Sequence, residues 1–266
     1  MSSKPAPASS LSMVLAERLA DAMLPGDAPF SGDGLEQAAI FTAMAAGTRE
    51  TGEAAITIES VSGPAGERFM RLALINDDMP FLVDSIASTI AAHGLAIDRL
   101  IHPVIPVRRD EQGRLVEIVG GEAAGEKRES MVYVETSRAD ARQRRELERA
   151  LEATLADVRA AVQDWPKMQQ VMAADAESCS DSEGAALLRW FKDGMLTQLG
   201  HVTRHRDGSQ SDALGICRKS AKALLGPISY ERAFAWFERL KGARVPLVIK
   251  SNQTSKVHRR TPLDLF

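Results

Sequence analysis

The sequence predicts an α+β protein: a βαββαβ sandwich with an antiparallel sheet, preceded by helices and followed by a second α+β segment. Three observations carry this. Between Arg68 and Trp165 the pattern reads strand, helix, strand, strand, strand, long helix, with one hairpin strand beyond the basic unit and a later strand expected to close it. Arg68 to Asn76 is apolar at Phe69, Met70, Leu72, Leu74 and Ile75, hence on both faces, as a central strand is. That strand runs into Asp77-Asp78-Met79-Pro80-Phe81, an acidic turn whose proline suits the first turn of a helix, where no hydrogen-bonded N–H is lost.

The elements follow in order. Met1 to Ser10 is rich in Ser, Pro and Ala and predicts a disordered lead-in without the apolar core of a secretory signal. Leu11 to Met23 predicts a helix: Leu11, Val14, Leu15 and Leu19 share a face, Ser10 or Ser12 is placed to cap it, and Pro25-Gly26-Asp27 stops it. Leu35 to Ala46 predicts a second helix ending near Gly47, and Ala54 to Val61 a strand that turns at Gly63-Pro64-Ala65-Gly66. After Pro80, Leu82, Val83, Ile86, Ala87 and Ile90 form an apolar helix face, and Gly94 is placed to take the left-handed position past its end. Ile97 to Val107 predicts one long strand, with Pro103 and Pro106 marking an edge or a bulge. Asp110-Glu111-Gln112-Gly113 turns into a strand from Arg114 to Val119. Gly120 to Lys127 is a loop and Ser130 to Thr136 a strand. Asp140 to Trp165 is the longest helix, striped by Leu147, Leu151, Leu155, Val158 and Val162, and Pro166 ends or kinks it.

Asp175 to Glu183 reads as a linker. Beyond it, Gly184 to Lys192 predicts a short helix, Leu196 to Arg204 and Leu214 to Arg218 strands around a turn at Arg206 to Ser211, Tyr230 to Arg239 a helix, and Val245 to Lys250 a strand. The expected divisions are a lead-in with helices over 1–50, the sandwich over 51–174 and the second segment over 184–266.

Composition excludes several function classes. The 266 residues are 44% apolar and 26% charged, ordinary for a globular protein, and long enough to bury a core without staples. A net charge of -3 gives no global attraction to nucleic acid or anionic membrane. The basic run Lys256, His258, Arg259, Arg260 has no interleaved aromatic platform, so a solvated surface is expected, with no nucleic-acid partner. No stretch approaches a membrane span, so no membrane partner is expected. Cys179 and Cys217 match no metal spacing and suit a reducing, cytoplasmic setting. His201 and His205, four apart on an expected strand, stand about 13 Å apart, too far for one metal. No metal site and no catalytic constellation is therefore expected. The run from Gly120 to Lys127 has the outline of a phosphate loop, but Glu126 stands where the lysine belongs and no Ser or Thr follows Lys127.

The candidate site is the corner after the central strand. Asp77 and Asp78 read in two ways: as helix caps satisfying first-turn N–H groups, or as ligand groups. In the second reading the N–H groups from Met79 through Pro80 and Phe81 to Leu82 hold a carboxylate while an aspartate holds an amine. Pro80 itself offers no N–H. His102 reads first as a structural histidine, and its ordinary pKa near 6.5 also permits a pH response. Arg108 and Arg109 point to opposite faces of a regular strand, so one pairs with an acid while the other faces water; a bidentate contact from Arg108 to a ligand carboxylate is the sharper alternative.

The segments IND-DMPFLVDSI, HGLAIDRLIHPVIPVRRDEQG, ESMVYVE and LADVRAAVQDW, with LLRWFKDGMLTQLGH, LGICR and IKSNQTSKVHRRTPLD after them, resemble the N-terminal region of the large bacterial NAD-specific glutamate dehydrogenases. The first 50 residues carry little of the likeness. In that family this region is similar to ACT domains, ferredoxin-like regulatory modules that bind amino acids and pair with one another. The resemblance implies an ACT-like fold, an amino-acid effector at the corner, a homo-oligomer, and a downstream dehydrogenase domain as partner. It also implies that the family's dehydrogenase domain lies outside this chain. No G-x-G-x-x-G follows a strand here, so no cofactor is expected in this chain, NAD belonging to the full-length enzyme. The chain is thus expected to be a shortened regulatory portion, inactive alone; a ligand-free scaffold or an independent enzyme are the competing readings.

Overall fold

The computed structural model describes residues 8–63, 66–119 and 127–266. Residues 1–7 of the expected lead-in, Pro64 and Ala65 of the expected turn, and residues 120–126 of the expected loop lie outside the described residues. The chain divides into two compact units, Met1–Ala156 and Asp157–Phe266.

In the first unit, helices α1 (Ala8–Asp21) and α2 (Gly34–Ala46) precede β1 (Ala55–Ser62) and β2 (Arg68–Asp77). Then come α3 (Leu82–Ala92), β3 (Ile97–Ile101), β4 (Val104–Arg109), β5 (Leu115–Ile118), β6 (Lys127–Ser137) and α4 (Ala141–Ser178), which continues into the second unit. The sheet order is β1-β2-β6-β4-β5, with β3 also on β6, and every pairing is antiparallel. This is the α+β sandwich expected, with one change of connectivity. The strand that closes it is not a later one: β1 pairs with β2 from Ala55↔Ile75 to Ser62↔Arg68. A hairpin between sequence neighbours closes a short loop, which costs less chain entropy than a distant return.

β2 is a central strand with both faces covered, as its apolar run requires. On one side Leu15, Leu19, Ala38 and Phe41 of the first two helices share a core with Ala73, Ile75, Ile101, Met131 and Tyr133. On the other, Met70, Leu72, Leu74, Val132 and Val134 are buried. So are the stripes of α3 (Leu82, Ile86, Ile90) and of the first half of α4 (Leu147, Leu151, Leu155). Thr89 Oγ1 lies 3.0 Å from Thr154 Oγ1, joining α3 to α4.

Local rules explain most element ends, and tertiary packing overrides one, at Pro166. The expected strand from Ile97 to Val107 is two strands, because Pro103 has no N–H to continue the ladder. The Pro103 carbonyl still accepts the Met131 N–H at 3.0 Å, so both pieces stay on β6. α3 starts at Leu82, not at Pro80, with Phe81 in the cap position at φ 71°. Its buried face is Leu82, Ser85, Ile86, Thr89 and Ile90; Val83 and Ala87 are only partly covered. Ser85 and Thr89 are tolerated there because the Thr89 hydroxyl donates to the Ser85 carbonyl at 2.8 Å. At the other end Gly94 takes φ +72°, its N–H donates to Ala91 O, and the Leu95 N–H donates to Ile90 O, the hydrogen-bond pair of a Schellman stop. Pro166 does not end α4. The helix runs on to Ser178 because the buried stripe continues through Met168, Met172 and Ala176, and this burial outweighs a local cost of about 3 kcal/mol.

The second unit holds α5 (Ser182–Trp190), β7 (Gly200–Arg204), β8 (Gln210–Gly215), α6 (Pro227–Arg239), β9 (Ile249–Thr254) and β10 (Pro262–Leu265). Asp181 caps α5 by accepting the Glu183 and Gly184 N–H groups, which shortens the expected linker to a few residues. The strands form two separate antiparallel pairs, β7 with β8 and β9 with β10. β7 and β9 begin later than expected and β8 earlier. Pairing sets their bounds: Arg204 stands opposite Gln210, across a polar turn that carries no alternation. Among the described residues, no helix is long and apolar enough to cross a membrane.

Candidate functional site

The end of β2 sits beside β6, which in turn sits beside β4: Asn76 faces Ser130 and Asp77 faces Glu129, while Val104 and Ile105 flank the same two residues from the other side. Since strand residues alternate between faces, Asp77 and Glu129 go with Ile75 and Met131, toward α1 and α2. Asn76 and Ser130 go with Leu74 and Val132, toward α3.

On the first face the acids meet two arginines. Arg49 follows α2, where its N–H donates to Gly113 O at 3.0 Å and anchors it against the β4–β5 turn. Its Nη2 lies 2.6 Å from Glu129 Oε1 and 2.7 Å from Asp77 Oδ1, and its Nη1 donates to Glu53 O at 2.8 Å. Arg109, at the end of β4, is bidentate on Glu129, with Nε to Oε1 and Nη2 to Oε2 both at 2.8 Å. Its Nη1 donates to the carbonyls of Ala46 and Gly113. The Glu129 side chain is 2% exposed. Burial disfavours its charge, but the hydrogen bonds and charges of Arg109 and Arg49 outweigh that, and its pKa lies below the ordinary glutamate value. Burial likewise opposes the charge of Arg49, yet Asp77 and Glu129 hold its pKa above the ordinary value. This cluster ties the end of the sheet to the α2–β1 connection.

On the second face the arrangement is looser. The Asp78 N–H donates to Arg128 O at 3.1 Å, and Asp78 Oδ1 accepts the Ser130 hydroxyl at 3.0 Å. The cap position of α3 is held by Phe81 and not by an aspartate, its own side chain makes no cap hydrogen bond, and first-turn N–H groups begin at Leu82. Met79 is half-buried, and Asp78 and Pro80 are exposed. His102 occupies the break between β3 and β4, half-buried, and its Nε2 is buried with no hydrogen-bond partner among the described residues. Burial pulls its pKa down and the charge of Asp78 pulls it part of the way back, so the ring is neutral at pH 7.

The structure thus brings Asp78, His102 and Ser130 together beside the start of α3, with Met79, Pro80 and Phe81 forming the connecting turn. It does not bring Arg108 there. Arg108 is exposed, and its Nη1 lies 2.5 Å from Glu117 Oε2 on β5. Asp77 belongs to the arginine cluster on the other face. Sequence reasoning missed Arg49, Glu129 and Ser130 as site residues; the one signal was the Glu129-Ser130 pair at the head of an apolar strand.

Every strand pairing among the described residues is antiparallel, so they form no crevice at the carboxyl ends of a parallel sheet. Nor does any group of three His, Cys, Asp or Glu among the described residues come close enough to hold a metal ion.

Comparison with known proteins matches this unit. Residues 37–151 match the family model described as glutamate dehydrogenase, ACT1 domain. The chain is 28% identical over 144 residues to an NAD-specific glutamate dehydrogenase of Halomonas elongata, covering 49% of this chain and 9% of that protein. It is 36% identical over 99 residues to one from Pseudomonas aeruginosa, covering 36% of this chain and 6% of that protein. The matched stretches span less than a tenth of those relatives' own length. The resemblance read from the sequence is therefore met in the region that holds the corner and the arginine cluster: residues 37–151 are similar to the glutamate dehydrogenase ACT1 domain.

Proposed function

We propose that this chain is the regulatory and assembly segment of an NAD-specific glutamate dehydrogenase, and that its first unit senses a free amino acid at the β2–α3 corner. The full enzyme would oxidise glutamate to 2-oxoglutarate with NAD, by chemistry outside this chain. The observation that carries the reading is the buried His102 Nε2 without a partner, beside Asp78. A buried ring nitrogen left unpaired costs about 1–3 kcal/mol, and a ligand that supplies its partner recovers that. An α-amino acid has the matching groups: its ammonium for Asp78, its carboxylate for the N–H groups that begin α3 at Leu82, and a polar side chain for His102.

The test is a thermal-shift screen of the proteinogenic amino acids at millimolar concentration, alongside an assay of NAD reduction with glutamate. The reading expects one amino acid or a few to raise the melting temperature, with no turnover by this chain. Turnover would overturn the regulatory reading; no shift with any amino acid would overturn sensing.

A second reading, a ligand-free scaffold, is favoured by the partners the acids already have, Arg49 for Asp77 and Ser130 for Asp78. The same screen separates the two. Assembly as a homo-oligomer is part of the proposal in either case; β1 ends the sheet and is the strand at which a second copy could add, whereas the start of β5 is already paired with Gly47 to Arg49.

A further inference from the structure

The second unit carries an open pocket of about 780 Å³, within the range of pockets that take small organic ligands. Its walls are mainly apolar, with Leu188, Leu196, Ile216, Tyr230, Phe234 and Phe266 among them. One cation stands in this lining in an unusual state. Arg204, the last residue of β7, lays its guanidinium 4.2 Å from the centroid of the Tyr230 ring on α6. Its Nε is buried and has no hydrogen-bond partner among the described residues. A guanidinium over an aromatic face keeps its positive charge while the ring supplies no hydrogen-bond acceptor in its plane. Of the acids around the pocket, Asp264 is taken by Lys250 at 2.7 Å and Asp175 is exposed.

We infer that this pocket binds a monocarboxylate with an apolar body, its carboxylate on Arg204 and its tail against the apolar walls. Charge complementarity sets the head group: an arginine whose Nε has no partner calls for a planar anion, and a carboxylate can meet a guanidinium bidentately. The apolar walls set the tail, because a short polar acid would leave them uncovered. The site is independent of the corner in the first unit, so neither inference depends on the other.

The probes are decanoate, decanol and acetate, titrated into the full chain below micelle-forming concentration and followed by tryptophan fluorescence and calorimetry. Decanoate should bind at least tenfold more tightly than decanol, and acetate not measurably. Arg204→Gln should weaken decanoate at least tenfold and leave decanol unchanged, while Arg206→Gln, a neighbouring arginine outside the lining, should change neither. Equal affinity for decanoate and decanol, no binding of decanoate, or an unaltered decanoate affinity in R204Q would each overturn the inference. The comparison of decanoate with decanol uses the unaltered protein, so the test survives even if R204Q does not fold.

Discussion

Asp77 and Asp78 are adjacent in the chain and serve opposite faces of one sheet. Asp77 accepts from Arg49 at 2.7 Å on the side of α1 and α2; Asp78 accepts from Ser130 at 3.0 Å on the side of α3. The alternation of a strand end thereby sends the two side chains of a single dipeptide to different partners.

Glu129 is the centre of the arginine cluster. Glu129→Gln leaves Arg49 and Arg109 facing each other with one anion removed, and removing one partner of a buried pair costs about 3–5 kcal/mol. Urea denaturation at neutral pH should show that loss. Because the folded pKa of Glu129 is depressed, its contribution is complete above the ordinary unfolded value of about 4.3 and is lost as pH falls from there through the folded value. Stability of the native protein should therefore fall more steeply below that pH than stability of E129Q; parallel curves would contradict the assignment.

His102 behaves in the opposite sense. Its folded pKa is lowered by burial, so the unfolded chain binds more protons between the folded value and about 6.5. Stability should rise with pH across that window and level off above it, and His102→Gln should flatten the rise. Proton resonances of the His102 ring should titrate below those of the unfolded chain. A midpoint at or above the ordinary value would show that the ring is not desolvated.

Two glycines with positive φ should differ in their response to alanine. At Gly94, φ is +72° and an added Cβ meets nothing within 4 Å, so Gly94→Ala should cost about 1 kcal/mol from backbone strain alone. At Gly113, φ is +75° and the Cβ would stand 2.3 Å from the Arg49 carbonyl oxygen, a backbone atom. Gly113→Ala should be the more damaging by at least 1 kcal/mol in thermal melts, and it should also loosen the Arg49 cluster that Gly113 O supports.

Pro166 interrupts the hydrogen-bond ladder of α4 in an exposed position. Pro166→Ala restores an N–H for the carbonyl one turn earlier and should stabilise the protein by about 1–3 kcal/mol. A neutral or negative change in denaturation midpoint would mean that the helix is bent to suit the proline.

Much of this fold is legible in the sequence because it rests on local periodicity. The run at Phe69 to Ile75 marks a doubly covered strand, the stripe from Leu147 to Val158 marks a long helix, and Gly94 marks a helix stop. What is not legible is long-range. The alternation in Ala54 to Val61 says strand but not which neighbour it takes, so it does not mark this strand as the one that closes the sheet. Pro166 follows a local rule that the apolar stripe beyond it overrides. In the candidate site, Arg49 and Glu129 are 80 residues apart and meet only through sheet order. The turn at Asp77-Asp78 is visible in the sequence, but the side each aspartate serves depends on where β2 ends, and that places Asp77 with Arg49 and Asp78 with Ser130.

The most direct test of the central claim maps amino-acid binding on the isotope-labelled chain by magnetic resonance. One amino acid at least should shift the amides of Leu82, Val83 and Ser130 and the ring of His102 saturably, and Asp78→Ala should abolish those shifts while leaving the fold intact. No saturable shift with any amino acid, or shifts confined to residues away from this corner, would contradict the account.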